Sequence, residues 1–192
     1  MSSPFAIDIP SSLIDGARRR DARAFEHLYR LFERPVYTLA LRMMGREADA
    51  QDILQEAFLA AFERLHQYRG EAGFGFWLRG IVANAALMRL RSQRPMDDLE
   101  SLPEVVAGER DERQALAAAK DLESALALLP PLSRSILWLY HVEEYTHEEI
   151  AELFGKTASF SKSQVARAAA RLRRHYAQED STWTPSTIAI SL

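Results

Sequence analysis

Thr146-His147-Glu148-Glu149-Ile150-Ala151-Glu152-Leu153-Phe154-Gly155 begins like a helix, stops on a glycine, and is followed by a stretch without a single carboxylate. Thr146, three residues before Glu149, is spaced for a capping box, in which each side chain accepts from a backbone N–H at the other position. Ile150, Leu153 and Phe154 then share one face. From Lys156 to Tyr176 stand six cations (Lys156, Lys162, Arg167, Arg171, Arg173 and Arg174) and no acid, so this piece carries +6 in a chain whose formal net charge is −3. Two helices meeting at a glycine, the second of them basic, form the pattern of a helix-turn-helix built to lie against phosphates.

Upstream, Pro130-Pro131 separates two more helical stretches, and Ser133 is the expected cap of the apolar set Ile136, Leu137, Leu139 and Tyr140. Together these stretches make a unit over 111–176. Ahead of it, Arg94-Pro95 ends a helix, because proline lacks the donor and pushes its predecessor out of the helical region. Residues 97–123 hold nine acids against three bases, a net of −6, and 95–110 show no convincing period, which reads as an acidic linker.

Before the linker, three apolar arrays recur at three- and four-residue steps. Phe25, Leu28, Tyr29, Phe32 and Val36 form the first, which Gly45 ends. Ala50, Ile53, Leu54, Ala57, Phe58, Ala61 and Leu65 form the second. After a break at Gly70, Gly73 and Gly75, Trp77, Leu78, Ile81, Val82, Ala85 and Leu90 form the third. They define a first domain over 20–94, with 1–19 as an extension ahead of it. Residues 177–192, rich in Ser and Thr and carrying Pro185, form a flexible tail, or a regulatory contact through Trp183. Period-two alternation is nowhere sustained. The expected fold is all-α: two small helical domains joined by an acidic linker.

Other classes have little support. The 192 residues contain no cysteine, which removes disulfides, thiolate metal clusters and a cysteine nucleophile. The five histidines are scattered, and His147-Glu148-Glu149-Ile150-Ala151 lacks the second histidine that a zinc-protease helix requires. No cofactor, metal or catalytic step is expected. The longest uncharged apolar run considered, Ile136 to Tyr140, is far too short to cross a bilayer, so the expectation is a cytoplasmic protein without membrane insertion.

Two features in sequence order narrow the choice. Asp49-Ala50-Gln51-Asp52-Ile53-Leu54-Gln55-Glu56-Ala57-Phe58, then Tyr68-Arg69-Gly70 and Phe76-Trp77-Leu78 with Ile81, Ala83 and Asn84, resembles the second conserved region of bacterial sigma factors of the extracytoplasmic-function (ECF) group. The helix-turn-helix resembles their fourth region. The resemblance implies a dissociable subunit of RNA polymerase whose first domain docks on core polymerase and opens promoter DNA near −10, while the second reads the −35 element. It also implies an anti-sigma factor as partner; the free protein is expected to be a monomer.

Residue roles follow from the same resemblance. Asp49, Asp52, Gln55 and Glu56 form the strip that the family sets against a coiled coil of the polymerase; read without it, they are a solvated helix face. For opening near −10, the loop supplies Tyr68, Arg69, Phe74 and Phe76, with Arg79, Asn84, Arg89 and Arg91 beside it. Unpaired bases stack on aromatic rings and phosphates pair with guanidinium groups. Phe74 and Phe76 have an equal alternative, plugging the loop against the helices, and the spacing of Trp77 favours core.

At −35 the candidates are Thr157, Ser159, Lys162, Ser163, Gln164, Arg167, Arg171 and Arg174, with Val165, Ala168 and Leu172 as the apolar seam. Gln164, where the family usually has a base-reading arginine, is chemically able to bond an adenine edge. The helix has two possible starts, Thr157 and Ser161. Ser161 three residues before Gln164 makes a second capping box, with Phe160 as its apolar staple, and the late start is favoured. The main rival function is a stand-alone helix-turn-helix regulator, which would shift DNA without polymerase.

Overall fold

The computed structural model describes the backbone of residues 3–93 and 114–179, and side chains over 3–92 and 121–176. The expected linker of 95–110 and the tail beyond Glu179 lie outside the described residues, among which every regular element is helical. The chain divides into two compact units, Met1–Ser92 and Gln93–Leu192.

Unit 1 contains α1 (Ser11–Arg18), α2 (Ala22–Met44), α3 (Glu47–Glu63), a 3-10 turn (Leu65–Gln67) and α4 (Phe74–Gln93). Asp21 caps α2 by accepting from the Arg23 N–H, and Gly45, at φ 72°, ends it in the left-handed region where glycine pays no Cβ penalty. The apolar arrays of the sequence supply most of the core: Leu28, Phe32 and Val36 of α2, Ala50, Ile53 and Ala57 of α3, and Leu78 and Val82 of α4 are fully buried, as is Ala86, while the expected Ala85 beside it is half-buried.

The structure corrects the reading of 1–19 as an extension outside this domain. Helix α1 packs on α2 and on the 3-10 turn, burying Ile14 and Ala17. Phe5, ahead of α1, is 1% exposed, a burial worth about 1.5–3 kcal/mol. The helix was missed because its apolar residues are few. It turns into α2 at Arg20, which adopts φ 63° while the Asp21 N–H donates to the Gly16 carbonyl at 3.1 Å.

Unit 2 contains α5 (Gln114–Ala127), α6 (Pro131–His141), α7 (His147–Phe154) and α8 (Ala158–Glu179). The capping box of Thr146 and Glu149 is formed, and Gly155 at φ 59° ends α7. Helix α8 crosses both α6 and α7, and Ala168 and Leu172 lie in its buried face. Two expectations are corrected. Pro130, not Ser133, stands at the N-cap of α6, with Pro131 in the first turn, where its missing N–H costs nothing; Ser133 is inside the helix and buried. Helix α8 also continues to Glu179, three residues into the segment read as tail.

Candidate functional site

The acidic strip lies on α3. Asp52, Gln55 and Glu56 are exposed, but Asp49 is 6% exposed and sits 3.6 Å from Arg89 Nη2. Arg89, on α4, also donates to Asp52 and, at 3.3 Å, to Glu56. These carboxylates raise the pKa of the guanidinium, the hydrogen bond to Asp52 being the largest cause. Two assignments change accordingly. Asp49 is buried behind the exposed members of the strip, between Arg89 and Arg46, the latter at 3.7 Å. Arg89, read from sequence as a phosphate partner, turns its guanidinium to carboxylates, because it stands near the end of α4 within reach of Asp49, Asp52 and Glu56 of α3.

The aromatic loop separates its members by burial. Phe74, at 2% exposure, packs edge-on against Phe32 with centroids 5.5 Å apart and against Tyr68 at 5.7 Å, so of its two possible roles it takes the plug. Trp77 lies tilted against Tyr68 and Phe74, with ring centroids 5.4 and 5.6 Å away, and is half-buried at the edge of the core in which its spacing placed it. Tyr68 is half-buried; its hydroxyl donates to the Ala72 carbonyl at 2.7 Å, and its own carbonyl accepts from Arg18. Burial raises the Tyr68 pKa, partly offset by Arg18. Phe76 is different. It stands 38% exposed with the Arg79 guanidinium 5.1 Å above its ring, and Arg69, Asn84 and Arg91 are exposed as well. The loop therefore offers one open ring, a cation beside it and polar groups on the same helix.

In unit 2 the structure corrects the favoured late start: α8 begins at Ala158. The Phe160 N–H donates to Thr157 Oγ1 at 3.3 Å, the bond of an N-cap to the third helical residue. Ser161 cannot act as cap, since it is fully buried and its hydroxyl lies 3.0 Å from His147 Nδ1. Gln164 is corrected too. It is 7% exposed and its Oε1 accepts from Ser133 Oγ at 2.9 Å, which ties α8 to α6 and places the amide in the buried seam instead of on the outward face.

Burial at Ser161, Gln164, Ala168 and Leu172 fixes which side of α8 faces outward. With 3.6 residues per turn, Ser159, Ser163, Ala166 and Ala170 lie opposite that seam, with Lys162 and Arg173 along one flank and Arg167 and Arg174 along the other. Ser159, Lys162, Ala166, Arg167, Arg173 and Arg174 are exposed, as is Thr157 at the cap; Ser163 and Arg171 are half-buried. Small side chains admit a close approach, and flanking cations suit phosphates on both sides of a groove. Ala166 was missed in the sequence because alanine carries no polar signal. Its position opposite the seam follows only once the true seam is known.

No described helix is long and apolar enough to cross a membrane. Family profiles match both halves of the chain: sigma-70 region 2 over residues 28–95 and sigma-70 region 4 over 119–172. The ECF RNA polymerase sigma factor SigM of Mycobacterium tuberculosis is 33% identical over 156 residues, covering 80% of this chain and 78% of SigM. The ECF RNA polymerase sigma factor SigW of Bacillus subtilis is 24% identical over 174 residues, 84% of this chain and 93% of SigW. In fold the chain is similar to CnrH, solved in complex with the cytosolic domain of CnrY, with TM-score 0.55 and 22% identity over 88% of this chain and 97% of that one. It is likewise similar to the sigma factor RpoE of Bartonella quintana in complex with the anti-sigma factor NepR, with TM-score 0.55 and 22% identity over 80% and 96%.

Proposed function

Because the chain belongs to the ECF RNA polymerase sigma factors and directs promoter-specific transcription initiation, we propose that its two units divide that task. Unit 1 docks on core polymerase through Asp52, Gln55 and Glu56, with Asp49 and Arg89 holding the strip in shape. Its loop then captures an unpaired base near −10. Phe76 supplies the stacking surface, Asn84 a hydrogen-bonding group, and Arg69, Arg79 and Arg91 the phosphate partners. Tyr68 and Phe74 brace the loop from within.

Unit 2 lays α8 in the major groove at −35. Ser159, Ser163 and Ala166 approach base edges, with Ala166 suited to a thymine methyl, while Thr157, Lys162, Arg167, Arg171, Arg173 and Arg174 hold the backbone. The domains that carry these roles are residues 20–94 and 111–176, the first completed by the segment ahead of it, and 95–110 serve as tether. Bond-making is left to the polymerase, so the protein acts in the cytoplasm as a binding factor without cofactor. An anti-sigma factor is its proposed regulator, by likeness to the fold of RpoE in complex with NepR.

The observation that carries this reading is the outward face of α8, small in the middle and cationic at both flanks, beside a chain of net charge −3. Reconstitution tests it: the protein mixed with core polymerase should co-elute and support run-off transcription from a promoter library, while shifting no promoter DNA by itself. Failure to co-elute, or a full shift without polymerase, overturns it.

A further inference from the structure

Phe5 lies 23 residues before the start of the matched region 2, at residue 28, yet it completes that region's core. Its backbone is pressed onto the first turn of α4: a Cβ at Gly75 would fall 2.0 Å from the Phe5 carbonyl oxygen and 2.7 Å from Phe32 Cε1. Only glycine at 75 admits that approach. The segment is locally closed as well, since the Ala6 N–H donates to the Ser3 carbonyl at 2.8 Å and the Phe5 N–H to Ser3 Oγ at 3.3 Å.

The other end of the same segment reaches the other end of the same loop. Arg18, in the last turn of α1, donates to the Tyr68 carbonyl while its Nη1 lies 3.4 Å from Asp15 Oδ1. Between Tyr68 and the start of α4 at Phe74 are Gly70, at φ 77°, and Gly73, and no regular element, so this stretch has no helical ladder of its own. Its internal ties include the Tyr68 hydroxyl on Ala72, the exposed ion pair of Arg69 with Glu71 at 3.9 Å, and the edge-on contact of Tyr68 with Phe74 at 5.7 Å.

We propose that residues 3–18 are a positioning strap, in which Phe5 at Gly75 and Arg18 at Tyr68 hold the loop 68–73 and the first turn of α4 in the shape that presents Phe76 to an unpaired base. The proposal rests on the assignment of that loop to strand capture. Phe5 and Arg18 touch no DNA in this arrangement; they act through the loop.

The test uses the full chain with core polymerase and four variants: Phe5→Ala, Phe5→Leu, Arg18→Met and Phe76→Ala. Phe5→Ala and Arg18→Met should speed hydrogen exchange of the loop amides by about tenfold or more and cut permanganate reactivity of unpaired thymines by a similar factor. Co-elution with core polymerase should stay at wild-type level, which a general loss of fold would not allow, and Phe5→Leu should restore both readouts. If Phe5→Ala fails to fold, Arg18→Met decides by itself, since Arg18 is on the surface.

Wild-type exchange or wild-type opening in Arg18→Met and folded Phe5→Ala, while Phe76→Ala opens DNA poorly, overturns the strap alone. Normal opening in Phe76→Ala overturns the capture assignment itself.

Discussion

Arg89 of α4 donates a hydrogen bond to Asp52 of α3, 37 residues away in sequence, and the same guanidinium reaches Asp49 and Glu56. The strip proposed to grip polymerase is thus an internal ion-pair network before it is a docking surface. Arg89→Gln takes the shared cation from three carboxylates, of which Asp52 and Glu56 lie one helical turn apart and Asp49 keeps Arg46 at 3.7 Å. The variant should melt at a lower temperature than the wild type, with the deficit widest at low salt, where like charges are least screened. An equal deficit at all salt concentrations would remove the electrostatic account.

Asp52→Arg places a cation in the strip beside Arg89. Affinity for core polymerase should fall by at least about thirtyfold, the scale of reversing one close charge in an interface. Helical circular dichroism should not change, because Asp52 is exposed. Co-elution at wild-type level would move the docking surface elsewhere.

Arg167→Ala and Gln164→Ala separate recognition from folding on one helix. Arg167 is exposed, so its loss should weaken −35-dependent promoter binding by about tenfold while core binding and melting temperature hold. Gln164 is buried against Ser133, so its loss strands a hydroxyl and should cost about 1–3 kcal/mol of stability in denaturant titration. A shifted base preference in Gln164→Ala, at unchanged stability, would restore it to the groove.

Phe74→Ala and Phe76→Ala should differ in the same way. Emptying the Phe74 site should cost about 3–5 kcal/mol. Phe76→Ala should stay within about 0.5 kcal/mol of the wild type and lose permanganate reactivity at open promoters. Thermal melts and footprinting on the same preparations read both.

Burial lowers the pKa of His141, and His147 lowers it further. The unfolded chain therefore binds the proton more readily than the folded one near the ordinary histidine pKa of about 6.5. Stability from this residue is complete above that value and declines as pH falls through it towards the lower folded-state pKa. His141 is partly exposed, so the loss is modest. Denaturant midpoints at pH 7.5 and 5.5 should differ less in His141→Gln than in the wild type.

Periodicity read the helices of unit 1 well wherever one face is apolar and long, as in α2 and α3. It passed over α1, whose burial rests on Ile14, Ala17 and Gly16, where an added Cβ would fall 3.1 Å from Ala24 Cβ. The capping box at Thr146 was legible because it is a local bond between residues three apart. Cap readings at Ser133 and Ser161 failed for a shared reason. Both serines have the right chemistry and spacing, yet α6 and α8 pack so that each hydroxyl finds a side-chain partner from a distant element: Ser133 meets Gln164, and Ser161 meets His147.

The sequence by itself determined the all-helical class, the helix-turn-helix with its glycine and its +6 stretch, the acidic strip, and the family to which the two halves point. These depend on periodicity, local caps and charge, which are properties of neighbouring residues. Tertiary structure alone decided which of the candidates face outward. Asp49, Phe74 and Gln164 share composition and spacing with their exposed neighbours, and they were withdrawn by contacts with Arg89, Phe32 and Ser133. The same packing brought Phe5 to Gly75, because burial is set by what lies across the core, and no local pattern encodes that.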